Sequence, residues 1–98
     1  MENKITLRPF AKLELGKALI WYEHQQLGLA KKFWKEYSSC IELIIFNPHL
    51  FPIHYKNYRK IVMKNFPYSI IYFHDKSEIV VLAVFHQKRN PKTWKRRG

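Results

Sequence analysis

His86, Lys88 and Arg89 fall within four consecutive positions near the end of a 98-residue chain. Residues of these types could cleave a phosphodiester. A base must take the proton from a ribose 2′-OH, a cation must stabilise the charged phosphorane, and an acid must protonate the leaving 5′-oxygen. His86 is the candidate acid or base and Arg89 the candidate phosphate clamp, with Lys88 beside them. The simpler role for His86 is a strand-end histidine bonded to backbone or water.

The tail that follows is dominated by positive charge. Lys88, Arg89, Lys92, Lys95, Arg96 and Arg97 put six basic residues into ten positions with no acid among them, and Trp94 lies inside the run. Neutralising phosphates with such a run releases counterions and gives steep salt dependence, and an exposed Trp94 would stack on a base. Large aromatics are usually mostly buried, so the favoured reading packs Trp94 back against the helices as an anchor for the tail. The charges are read as functional, because this density without an acid calls for a partner. Upstream, Arg59, Lys60 and Lys64 are further candidate target-binding cations. Arg59 and Lys60 point to opposite faces of a strand, and Lys64 is expected to continue the Lys60 face.

Eighteen basic residues oppose seven acidic ones, for a net charge of +11. The tail accounts for +6, which leaves +5 on the remainder (twelve basic against seven acidic). A balance this basic favours nucleic acid, an anionic surface or an acidic partner. Cys40 is the only cysteine, which excludes an intrachain disulfide and a Cys-based zinc site. His24, His49, His54 and His74 are scattered over a helix end, a loop and a turn without metal-ligand spacing, so no metal or cofactor is expected. No apolar leader follows Met1, and no apolar run approaches the roughly 20 residues of a spanning helix. A cytoplasmic protein without membrane contact is expected.

The elements that must position these residues can be read from periodicity. Lys4–Phe10 alternates as a short strand, with Pro9 marking an edge or its end. Ala11–Leu27 is helical, with Leu15, Ala18, Leu19 and Tyr22 on one buried face, and Gly28 breaks it. A second helix runs from Leu29 or Ala30 to Phe46, with Phe33, Tyr37, Cys40, Ile41 and Ile44 as its apolar stripe. Asn47-Pro48 ends it. Trp21 and Trp34 fall beside these stripes and would form an exposed apolar edge, a docking site for a partner helix. His49–Asn57 reads as a loop. Three strands follow: Tyr58–Phe66, with Arg59, Ile61 and Met63 on one face, then Tyr68–His74, then Glu78–His86. In the last, Ile79, Val81, Ala83 and Phe85 alternate with Val80, Leu82 and Val84. The expectation is one α+β domain over residues 1–98, β-α-α-β-β-β, two-layered, with a helical hairpin on a small, mainly antiparallel sheet.

Four segments in this order, Trp21–Tyr37 (WYEHQQLGLAKKFWKEY), Asn47–Pro52 (NPHLFP), Tyr58–Tyr72 (YRKIVMKNFPYSIIY) and Ala83–Arg97 (AVFHQKRNPKTWKRR), resemble the RelE/ParE family of bacterial type II toxins. The resemblance covers nearly the whole chain. It implies a growth-inhibiting, plasmid-stabilising toxin neutralised by a cognate antitoxin, whose segments would cover the hairpin at Trp21 and Trp34. Two targets follow from it: DNA gyrase for ParE-like members, which are not nucleases, and the ribosome with its mRNA for RelE-like endonucleases. Ser69 stands where the RelE-like pattern has an arginine, which moves the reading toward the ParE-like branch. A nucleic-acid-binding module outside toxicity is the third reading; Gly-rich loops, zinc ligands and a recognition-helix pattern are missing for it.

Overall fold

The computed structural model describes residues 4–97. The order of elements is β1 (Lys4–Leu7), α1 (Pro9–Gln25), α2 (Leu29–Phe46), β2 (Ile53–Tyr55), β3 (Tyr58–Val62), β4 (Tyr68–Asp75), β5 (Glu78–His86) and a short α3 (Lys92–Lys95). The expected α+β architecture holds, with two additions: β2 lies inside the segment read as a loop, and α3 lies inside the tail. The first strand is also shorter than expected. It stops at Leu7, and Pro9 opens α1, where its missing N–H is harmless because first-turn donors have no intrahelical partner.

The two long helices meet at a tight joint. Gly28 takes a left-handed φ of 88° just before α2 and makes no side-chain cap. The cap comes from α1 instead. Glu23 accepts from the N–H of Gly28 at 3.2 and 3.1 Å and from that of Ala30 at 3.1 Å. A carboxylate here satisfies otherwise unpaired donors and meets the positive end of the helix dipole.

The sheet order is β1-β5-β4-β3-β2. β2 to β5 pair antiparallel, while β1 pairs parallel to β5, Lys4 opposite Glu78 and Leu7 opposite Val81. The hairpin covers one face. Ala11, Leu15, Ala18 and Tyr22 from α1 and Phe33, Tyr37, Cys40 and Ile44 from α2 close over Ile61, Ile70, Tyr72, Ile79, Val81 and Val84. A second cluster, Tyr58, Ile71, Leu82, Ala83, Phe85 and Trp94, lies on the opposite face.

Simple alternation along β5 fails at its centre. Ile71 pairs with Ala83 and Tyr72 with Val81, so Leu82 has no partner. This bulge shifts the phase by one residue. Ile79 and Val81 therefore share the helix side with Val84, while Leu82, Ala83 and Phe85 turn to the other side. Past the bulge, His86 lines the helix side and Gln87 the outer side. The bulge thus decides which face each C-terminal side chain serves.

Candidate functional site

The parallel strand β1 ends opposite Val81, but β5 continues for five more residues. Arg8 still reaches back, its N–H donating to the Val81 carbonyl at 3.0 Å. Beyond it, the backbone groups of β5 on that edge need other partners. Two side chains supply them. Glu14 Oε1 accepts from the Val84 N–H at 3.1 Å, and Arg97 Nη1 donates to the Leu82 carbonyl at 3.3 Å. The same two side chains join each other, Arg97 Nη1 to Glu14 Oε1 at 2.8 Å and Nη2 to Oε2 at 2.9 Å. Arg89 adds a looser contact to Glu14 Oε2 at 3.4 Å. The side chains of Glu14 and Arg97 are only 9% and 13% exposed, against 51% for Arg89.

The tail therefore has its acid after all, delivered from α1. Arg97 is bound into the fold, and Arg89 is partly so, lying also 5.8 Å over the Phe85 ring. No acidic group lies within ion-pair distance of Lys88, Lys92, Lys95 or Arg96 among the described residues. Lys95 sits 4.7 Å over the Tyr55 ring. Lys88, Lys92 and Arg96 are exposed.

Trp94 is 2% exposed. It packs as expected, but against the outer sheet face, not the helices, with Tyr55, Tyr58 and Phe85 at ring distances of 5.9, 6.3 and 6.4 Å. Removing a buried aromatic of this size costs about 3–5 kcal/mol, more than the roughly 1–3 kcal/mol a stacked base returns. Trp94 thus anchors α3 and offers no open ring to a base.

Two adjoining hollows beside α1 form one groove. The first, about 430 Å³, is lined by Phe10, Leu13, Glu14, Lys17, Tyr68, Val84, His86, Arg89, Thr93 and Arg97. The second, about 570 Å³, shares Lys17, Tyr68, His86 and Arg89 and adds Ala18, Trp21, Tyr22 and Pro67. His86 pairs across the strands with Tyr68, their rings 5.0 Å apart and edge to face. The N–H of Lys88 donates to His86 Nδ1 at 3.0 Å, so Nδ1 is unprotonated and Nε2 carries the hydrogen. Burial raises the Tyr68 pKa above its ordinary value, with the neighbouring Tyr22 adding to the effect and Arg89 opposing it. Of the three candidate catalytic residues, the groove unites His86 and Arg89 and leaves Lys88 at the surface.

The upstream cations do not join them. Arg59 donates from Nη1 to the Phe51 carbonyl at 2.7 Å and bonds through Nη2 to His49 Nδ1 at 3.2 Å, which holds the loop after α2 in place. Lys60 is half-buried on the outer face. Lys64 does not continue its face. It lies past the end of β3 and acts electrostatically on Cys40 of α2. Cys40 is buried as expected, and burial raises its thiol pKa, with Glu36 adding to the effect. The expected scatter of histidines also needs correction, since the His49 and His74 rings meet at 5.1 Å. Among the described residues no three His, Cys, Asp or Glu side chains group to hold a metal ion.

Trp21 and Trp34 are exposed, at 56% and 49%. They do not share one edge. Trp21 lines the groove, whereas Trp34 borders a separate hollow with Ile5, Leu7, Tyr37 and Ile41. The sequence reading missed the fuller extent of the first surface: Phe10, Leu13 and Ile20 are also exposed on α1. The signal was the spacing of Phe10, Leu13 and Ile20, which repeats the helical period on the side away from the core stripe.

A helical hairpin on one face of a five-stranded sheet, with a basic and aromatic groove along the first helix, defines a small α+β fold. The chain matches the model of the ParE toxin of the type II toxin-antitoxin system parDE over residues 5–91, and it belongs to that family. Among solved structures it is similar to a chain of the chromosomal ParDE toxin–antitoxin system from P. aeruginosa. The two are 14% identical with a TM-score of 0.75, over 86% of this chain and 95% of that one, a likeness of fold. No curated protein matches the chain. No helix among the described residues is long and apolar enough to cross a membrane.

Proposed function

We propose that this chain is a ParE-like toxin, one domain acting in the cytoplasm, that arrests growth by binding an essential target such as DNA gyrase. A cognate antitoxin neutralises it by laying an acidic, amphipathic segment along the groove. The apolar part of that segment meets Phe10, Leu13 and Trp21, and its acids meet Lys17 and Arg89. A net charge of +11 makes an acidic partner favourable at long range as well as in contact.

The observation that carries the binding reading over cleavage is the hold of Glu14 on the tail arginines. A phosphorane needs cations aimed at the reacting phosphate. Arg97 is aimed instead at Glu14 and the β5 edge, and Arg89 shares the same carboxylate. Ser69, at the position where a RelE-like chain has arginine, lines the outer face while His86 lines the helix side. The remaining cations of the tail, Lys88, Lys92, Lys95 and Arg96, suit recognition of an acidic surface. Induced expression with and without a candidate antitoxin tests the reading. Growth arrest relieved by co-expression is expected, and unimpaired growth of cells accumulating the folded chain contradicts it.

A further inference from the structure

A third hollow, about 610 Å³, opens where α2 passes the turn between β3 and β4. Its apolar lining is Tyr22, Leu29, Phe66 and Pro67. Tyr22 stacks on Phe33 at 5.4 Å and meets Phe66 edge to face at 4.9 Å, so these rings are held by the core. The turn is held as well. Glu36 accepts from the Asn65 N–H at 3.2 and 3.1 Å and from Asn65 Nδ2 at 2.7 Å. A surface fixed in advance spends little affinity on being ordered.

The polar side of the hollow belongs to one face of α2. Lys32, Lys35, Glu36 and Ser39 follow the i, i+3, i+4, i+7 spacing. Glu36 is engaged by Asn65, whereas Lys32 and Lys35 are exposed and have no acid within ion-pair distance among the described residues. The hollow thus joins an apolar floor to two cations without a counter-charge.

It is also continuous with the groove. Tyr22 and Pro67 line both this hollow and the one that holds Trp21 and Arg89. One track therefore runs from Arg97, past Trp21, over Tyr22 and Pro67, to Lys35. Cations stand toward both ends, Lys17 and Arg89 in the groove and Lys32 and Lys35 here. A track of this length suits a chain more than a small molecule. A second copy of the protein is a poor occupant, because two molecules of charge +11 repel each other.

We propose that the acidic segment seated in the groove continues over Tyr22 and Pro67 into this hollow. There it lays an apolar side chain on Leu29 and Phe66 and a carboxylate between Lys32 and Lys35. The inference rests on the groove being the antitoxin's seat and adds a second anchor to it. Two anchors on one chain reinforce each other, because the second binds intramolecularly once the first is held.

The test is calorimetric titration of the full chain with the candidate antitoxin that relieves growth arrest on co-expression. Lys32→Glu combined with Lys35→Glu should weaken binding about 10-fold or more, since like charges then meet. The same charge change at Lys12 and Lys76, which line none of the three hollows, should cost less than about 3-fold at physiological salt. Ser39→Trp fills the hollow without altering charge and should weaken binding about 5-fold or more. Ser39 is exposed, so the Tm of that variant should stay within roughly 4 °C of the parent.

Trp21→Ala separates this inference from the reading it rests on. If Trp21→Ala weakens binding and the Lys32, Lys35 and Ser39 variants do not, the groove stands and its extension is overturned. If only the extension variants weaken binding, the hollow stands and the groove reading fails. If none does, both fail. An equal loss from the Lys12 and Lys76 control reduces the effect to long-range charge and overturns the extension. Sedimentation of the chain alone should show a monomer. A dimer that Ser39→Trp dissociates would assign the hollow to a second copy instead.

Discussion

Glu14 and Arg97 are 83 residues apart in sequence, yet they meet through two parallel bonds of 2.8 and 2.9 Å and together complete the edge of β5 where β1 ends. The relationship joins fold to function. It seals the sheet edge, closes one end of the groove and fixes where the rest of the basic tail emerges. Breaking a largely buried pair leaves one charge uncompensated, which costs about 3–5 kcal/mol. Glu14→Gln should therefore lower stability by an amount near that range and loosen the Trp94 anchor. Chemical denaturation followed by Trp fluorescence reads both effects. Arg97→Lys should lose most of the same stability, because an ammonium cannot reproduce the forked contact. A change below about 0.5 kcal/mol in both variants would show the pair to be a solvated surface contact.

Alkaline pH should destabilise the protein through Tyr37. Burial, with Cys40 adding to it, raises this phenol from its ordinary 10.0 to about 12. The folded chain therefore holds the phenolic proton more tightly than the unfolded chain does. The stability this contributes is complete below pH 10, declines as pH rises from 10, and is lost by the time pH passes 12. Tyr22, Tyr68 and Tyr72 shift in the same direction. Denaturation midpoints measured from pH 8 to 11.5 should fall above pH 10, and Tyr37→Phe should flatten that fall.

The cap on α2 is borrowed from α1, so its loss should register as a loosening of the hairpin. Glu23→Ala removes the acceptor for the Gly28 and Ala30 N–H groups. A loss of about 1 kcal/mol is expected, typical of helix N-caps. Hydrogen exchange should speed first at the start of α2.

Antitoxin binding should divide the two exposed tryptophans. Trp21 lines the cationic groove and Trp34 does not. Trp21→Ala should weaken a purified antitoxin by more than about 2 kcal/mol, as central aromatic anchors do, with little change in Tm. Calorimetric titration of both variants decides it. If Trp34→Ala weakens binding and Trp21→Ala does not, the groove is misassigned.

Much of this was legible in the sequence because periodicity was strong. The core stripes of both helices and the three-strand meander follow directly from apolar spacing. The β5 bulge was not legible, because a strand apolar on both faces reads the same in either phase. β2 was hidden by its three-residue length and by Pro52 just before it. The partner of the tail was hidden by distance. Glu14 is an acid between Leu13 and Leu15, beside the core stripe, and nothing in its local pattern tied it to a cation 83 residues away. Lys60 and Lys64 were assigned to one face by alternation, which no longer applies once β3 ends at Val62.

The most direct measurement of the central claim uses the purified chain in two parallel reactions at matched salt, DNA supercoiling by gyrase and mRNA integrity on programmed ribosomes. The account predicts that supercoiling fails, that antitoxin restores it, and that the mRNA stays intact. Unimpaired supercoiling together with cut mRNA would contradict it.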